Sequence, residues 1–185
     1  MHVIRTLLPT EFGLLKDHLL RLDQEDRYRR FQGHVGDQRI AAYVDGLDRF
    51  HAMVIAWFEG GRVRGAAEMA RFSAPSLTTA ELAITVEGPL QDQGVGTELL
   101  RRALTVARNR GIEQIYMVCL AGNGRMRHLA DKFAGRMIDL GGEVEATMAL
   151  KAPDGFSLLQ EAVDQGEAAM ASALARFAPG RATPA

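Results

Sequence analysis

Seven residues, Gln91-Asp92-Gln93-Gly94-Val95-Gly96-Thr97, stand between a strand pattern and a helix pattern. A turn of this kind leaves backbone N–H groups pointing outward at the positive end of a helix dipole. Glycine lets a ligand come close to the main chain, so the turn could cradle a phosphate. A plain turn is the other reading of the same residues. Two nucleotide loops fail on named positions. A P-loop needs lysine followed by serine or threonine, whereas this helix starts Thr97-Glu98-Leu99. A dinucleotide fingerprint needs a third glycine where Leu99 stands, and a strand running straight into the turn, where Gly88-Pro89-Leu90 intervenes.

Other reactive groups are few. Cys119 lies inside Ile115-Tyr116-Met117-Val118-Cys119-Leu120, which reads as a buried structural thiol and not a nucleophile. The five histidines show no His-x-x-x-His spacing, and no Gly-x-Ser-x-Gly elbow occurs. Covalent and metal-assisted mechanisms are therefore disfavoured, and no metal is expected.

The elements that must position the turn can be traced in order. Residues 2–8 read as a strand stopped by Pro9. Thr10 is placed to cap a helix carrying Leu14, Leu15, His18, Leu19 and Leu22. A charged stretch, Asp23 to Arg30, and a short helix around 38–47 follow. Residues 52–58 and 63–71, joined by Glu59-Gly60-Gly61-Arg62, predict a hairpin. A loop over 73–79 leads to a strand over 80–87. Leu99, Leu100, Ala103, Leu104 and Ala107 mark a helix that Gly111 ends. The apolar run 115–120 predicts a strand buried on both faces, parallel to 80–87 through a βαβ crossover. A short helix around Met126 to Phe133 and a hairpin, 136–140 with 143–150, complete this part. Beyond Pro153-Asp154-Gly155, Leu158, Leu159, Ala162, Val163, Met170, Leu174 and Phe177 predict an amphipathic helix, fraying over 179–185.

The order is that of a mixed α/β (α+β) protein. At 185 residues with 47% hydrophobic and 24% charged residues, the chain suits one soluble domain and is too apolar for disorder. Its net charge of −1 argues against a nucleic-acid partner bound through a basic face. No run approaches the ~20 apolar residues of a membrane span, and residues 1–5 lack a signal-peptide layout, so a cytoplasmic protein is expected.

Gln-x-x-Gly-x-Gly opening a long helix after a mid-chain strand resembles the signature of the GNAT N-acetyltransferase superfamily. Asn123-Gly124-Arg125-Met126 is similar to that family's Asn-x-x-Met/Ala step, and the element order over residues 2–150 agrees. Asp26-Arg27-Tyr28-Arg29-Arg30-Phe31 and Ala80-Glu81-Leu82-Ala83 are similar to segments of bacterial protein-lysine acetyltransferase domains. The resemblance implies a mostly antiparallel mixed sheet with a central parallel pair flanked by helices. It assigns residues 1–152 to the acetyltransferase domain and leaves 153–185 as a helical extension packed on or beside it.

It also implies roles. The main chain of Gln91, Asp92, Gln93, Gly94, Val95, Gly96 and Thr97 would hold the pyrophosphate of acetyl-CoA. The edge at Ile84, Thr85 and Val86 would bond the pantetheine arm, with the Val86 amide polarising the thioester carbonyl. Asn123 and Met126 would border the arm, and Tyr28 and Arg30 the acceptor. Two positions depart from the pattern: Gln93 stands where many relatives carry Arg or Lys, and Ala130 where many carry a tyrosine acid. His128 is an alternative proton donor or a surface histidine.

A protonated amine has no lone pair to attack a thioester, so a base is useful. Glu81, thirteen residues ahead of Gly94, is the candidate, and Glu68 is the reserve, which could equally pair with an arginine at the surface. Alternation sets Glu81, Ala83, Thr85 and Glu87 on one face of their strand. The expected activity is direct acetyl transfer from acetyl-CoA to a primary amine, on a protein lysine or a small molecule. The alternative is a catalytically weak module that binds acyl-CoA as a regulatory ligand. Self-association into a homodimer through the C-terminal helix is a further expectation.

Overall fold

The computed structural model describes residues 2–71 and 78–177. Most of the expected loop at 73–79, the side chain of Phe177 and the expected frayed end lie outside the described residues. The chain runs β1 (His2–Thr6), α1 (Phe12–Arg21), α2 (Gln24–Phe31), α3 (Asp37–Asp45), β2 (Ala52–Glu59), β3 (Arg62–Arg71), β4 (Thr79–Val86), α4 (Val95–Asn109), β5 (Gln114–Leu120), α5 (Gly124–Asp131), β6 (Arg136–Asp139), β7 (Glu143–Ala149) and α6 (Gly155–Phe177). The strands form one seven-stranded sheet in the order β1-β2-β3-β4-β5-β7-β6. Among the described residues, only β4 and β5 pair in parallel, as a strand–helix–strand crossover requires.

Each face of the sheet has its own core. On one, α4 lays Leu99, Leu100 and Ala103 against Leu82 and Ile84 of β4, Met117 of β5 and Met148 of β7. On the other, Leu15 and Leu19 of α1 and Ile40 and Val44 of α3 cover Val54, Ala56 and Ala66. Full burial of each large aliphatic side chain contributes about 1.5–3 kcal/mol. Alternating burial over Glu81 to Ile84 on β4 fixes register, because a one-residue slip would turn Leu82 and Ile84 away from α4.

Two local expectations need correction. Thr10 does not cap α1: Pro9 starts a 3-10 turn over Pro9–Glu11, and Glu11 precedes the helix while its carboxylate accepts from the Leu8 amide at 2.9 Å. The cap found in this region is Asp23, which accepts from the Asp26 amide at 2.8 Å and opens α2. β5 is buried on one face only. Ile115, Met117 and Cys119 are buried, while Tyr116, Val118 and Leu120 are half-buried on the face opposite.

The last helix is amphipathic, with its polar side inward. Ser157 and Asn109 exchange hydrogen bonds at 2.6 and 2.9 Å, Arg110 pairs with Glu161 at 2.8 Å, and Arg101 with Asp164 at 3.2 Å. These contacts bind α6 beside α4, where it also meets β1. Phe156, Leu159, Val163, Met170 and Leu174 face outward.

Candidate active site

The β4–β5 pairing lasts three residues. Thr79 lies opposite Gln114, Ala80 opposite Ile115 and Glu81 opposite Tyr116, after which β5 continues along β7 and β4 along β3. The strands part there, and a cleft of about 530 Å³ opens between them. Backbone direction on β4 follows from one bond: the Glu87 amide donates to Arg64 O on β3 at 2.9 Å. Amides alternate edges along a strand, so those of Ile84 and Val86 point to the other edge, into the cleft. An extended ligand lying there meets main-chain groups set at strand spacing.

The glycine turn lies at the open end. Asp92 (φ 59°) and Gly94 (φ 82°) adopt left-handed conformations, which curl successive amides towards one side. Gly94 caps α4 without a side-chain hydrogen bond, so the first-turn amides emerge from the helix end. Gln91 anchors this turn. Its Nε2 donates to Val86 O at 2.8 Å and to Asp26 Oδ2 of α2 at 2.7 Å, tying the loop to strand and helix. Gln93 is exposed and donates to Pro89 O at 2.6 Å, while the Val95 side chain enters the core. Neither residue is among those that line the cleft.

Ile84, Thr85, Val86, Gln91, Asp92, Gly94, Gly96 and Thr97 line one wall of the cleft, and Asn123 and Met126 line the other. Asn123 Oδ1 accepts from the Met126 amide at 3.2 Å and so caps α5, leaving its amide nitrogen directed elsewhere. Cys119 is buried in the cleft wall, and burial pushes its thiol up from the ordinary range. His128 also lines the cleft, whereas Ala130 is packed into the core.

The candidate acid–base residues are placed differently. Glu81 is exposed and stands at the vertex where the strands part, outside the lining of the cleft. Register puts Glu68, opposite Ala83, on the same sheet face. Glu68 is buried rather than at the surface. Its Oε1 accepts from Arg30 Nη2 at 3.1 Å and its Oε2 from the Tyr43 hydroxyl at 3.1 Å, while Arg30 also donates to that hydroxyl at 2.7 Å. Burial and then Glu68 push the Tyr43 hydroxyl up to about 12. Burial disfavours the Arg30 charge, but Glu68 and Tyr43 together more than offset it. Arg30 thus lines the cleft as half of an internal ion pair. Tyr28 is exposed, its ring tilted by 52° against that of His34 with centroids 5.0 Å apart, and lies outside the lining.

One polar cluster has no counterpart in the sequence reading. His18, fully buried on α1, lies 2.9 Å from Thr85 Oγ1 through Nε2 and 3.2 Å from Glu87 Oε1 through Nδ1. Arg21 Nε donates to Glu87 Oε1 at 3.0 Å, and Arg64 pairs with Oε2. These contacts fasten the end of β4, just before the glycine turn, to α1 and β3. Partners 66 to 69 residues apart leave no local pattern. Burial raises the Glu87 carboxyl, but hydrogen bonds from His18 and Arg21 outweigh it and hold the group at about 2, against an ordinary 4.5. A depressed folded-state value means the stabilisation is complete above pH 4.5 and is lost as pH falls through 2. We expect Glu87→Gln to lower Tm at neutral pH and to flatten the dependence of Tm on pH across that window, read by calorimetry from pH 7 to 2.

The sequence profile of the acetyltransferase (GNAT) family matches residues 16–135. No curated protein matches significantly by sequence. Among solved structures, the GNAT domain of S. lividans PAT superposes with a TM-score of 0.67 at 21% identity, covering 80% of this chain and 89% of that one. The structure of yncA from Salmonella typhimurium with its cofactor acetyl-CoA gives 0.60 at 18% identity, covering 84% and 99%. RimL, a ribosomal L7/L12 α-N-protein acetyltransferase in complex with coenzyme A, gives 0.61 at 15% identity, covering 81% and 94%. With a family profile that spans residues 16–135, most of its length, the chain belongs to the acetyltransferase (GNAT) family.

Proposed function

We propose that the cleft binds acetyl-CoA and that the protein transfers its acetyl group directly to a primary amine. The main chain from Gln91 to Thr97 holds the diphosphate, and Ile84 and Val86 hold the pantetheine arm as a neighbouring strand would. The Val86 amide polarises the thioester carbonyl, and Asn123 and Met126 border the arm. Residues 1–152 form the transferase unit, with 153–185 as a helical extension on it.

Because α4 covers one face of β4, the amine enters from the other, past Ala83, Arg30 and the α2 side. Glu81 lies outside the cleft lining, so it takes the ammonium proton through water, at the vertex of the strands. The freed lone pair attacks the thioester carbon, the C–S bond breaks, and the second proton lost by the nitrogen passes through water to the departing thiolate. Holding both substrates in one cleft removes the entropic cost of their encounter. The acceptor is a protein lysine or a small amine.

The observation that carries this reading is the parting of β4 from β5 directly beside an uncapped helix start. Its test is a screen of small amines and lysine peptides with acetyl-CoA, detecting free thiol, on protein first shown by calorimetry to bind CoA. Thiol release with an amine supports transfer. Tight binding with no release from any amine points to the regulatory module instead. No heat with CoA at millimolar concentration sinks both.

A further inference from the structure

A diphosphate is anionic, yet the loop proposed to hold it carries no cation. Gln91 to Thr97 contain two glutamines, one aspartate and neither lysine nor arginine. The backbone amides there face a partner of like charge to Asp92. The missing positive charge is on the opposite wall. Helix α5 and the residue after it turn Arg125, His128 and Lys132 towards the cleft. Offsets of three and seven residues place them along one helix face.

Arg125 reaches furthest. It spans the mouth of the cleft, with Nε 3.1 Å from Asp92 Oδ2 and Nη1 2.7 Å from Gln91 Oε1. Both charged partners remain largely in solvent, the Arg125 side chain 56% and the Asp92 side chain 67% exposed. An exposed pair of this kind contributes little and is readily exchanged. The Asp92 carboxylate therefore occupies, against Arg125, the place that a phosphate oxygen would take. A guanidinium fork suits either group, and a diphosphate brings more charge than one carboxylate.

We infer that Arg125 is a phosphate-binding residue for the acyl donor, supplied from α5 in place of a loop cation, which releases Asp92 and Gln91 when the diphosphate arrives. The inference rests on the acetyl-CoA reading above. In exchanging partners, Arg125 stays across the mouth of the cleft and secures the donor from both walls. Asp92 acts as an internal competitor for the same fork.

The test uses the full chain, with CoA binding measured by calorimetry and turnover followed with two donors. Arg125→Gln should weaken CoA binding and raise KM for acetyl-CoA, each by about tenfold. Asp92→Asn, which removes the competitor, should tighten CoA binding by roughly threefold. With S-acetylpantetheine, which has no diphosphate, the loss in kcat/KM caused by Arg125→Gln should shrink to within about twofold. A merely structural Arg125 would penalise both donors alike, and that result overturns the inference. So does unaltered CoA affinity in Arg125→Gln while Gly96→Asp loses it, an outcome that leaves the glycine cradle standing. Wild-type protein that binds no CoA removes the cradle and Arg125 together.

Discussion

Gly96→Asp is expected to weaken CoA binding by about 10²-fold or more, equivalent to roughly 3 kcal/mol. The reason is local. A Cβ on Gly96 would stand 3.5 Å from Leu129 Cδ2 of α5 and 4.0 Å from Val86 Cγ2 of β4. That atom alone makes ordinary van der Waals contact, so Gly96→Ala should fold and retain much of its affinity. An aspartate carboxyl extends past it, between the two walls of the cleft, where the donor's arm leaves its phosphates. Steric exclusion and like charge then act in the same direction. Calorimetry with CoA on both variants, after checking that their melting temperatures are close to wild type, separates a blocked site from a damaged fold. Undiminished binding by the aspartate variant would move the diphosphate elsewhere.

The second large effect concerns Glu81. Glu81→Gln keeps shape and hydrogen-bonding reach but removes the ability to take a proton, and kcat is expected to fall by about 10²-fold. CoA affinity should stay near that of wild type, because Glu81 lies outside the cleft lining. Glu68→Gln is the informative contrast. Glu68 already receives hydrogen bonds from Arg30 and Tyr43, so its loss leaves a buried guanidinium without its counter-charge. Breaking a buried pair from one side costs about 3–5 kcal/mol, and the expected result is a lower Tm. Full turnover in Glu81→Gln, with turnover lost in a folded Glu68→Gln, would transfer the role of base to Glu68.

Much of this architecture is legible in the chain because its signals are local. Gly60-Gly61 mark the β2–β3 turn, and both take positive φ as a tight hairpin needs. Gly111, at φ 73°, ends α4 as its position in the sequence predicts. The apolar run of β5 misleads for a physical reason: a strand that borders a ligand cleft can be as apolar as one buried twice, and Val118 faces that cleft. Periodicity in α6 gives an amphipathic helix but not its orientation. Asn109, Arg110 and Arg101 on α4 provide a polar seat, so the polar side of α6 turns in. The site divides along the same line. The glycine turn and Asn123 are local signatures. The Arg30–Glu68–Tyr43 group and the His18–Glu87 contact depend on how α1, α2 and α3 lie across the sheet, which no neighbouring residues encode.

The short β4–β5 pairing has a consequence for assembly. A sheet's unpaired margin normally lies at its perimeter, where charge, proline or bulges discourage association with other chains. Here a margin lies within the sheet, walled by α4 on one side and α5 on the other. A chain with amide groups along it, lying in this margin, would bond to it as a strand does, and in the proposed complex the arm of the donor is that chain. Occupancy would then close the margin from within, leaving no strand there to recruit a stray one.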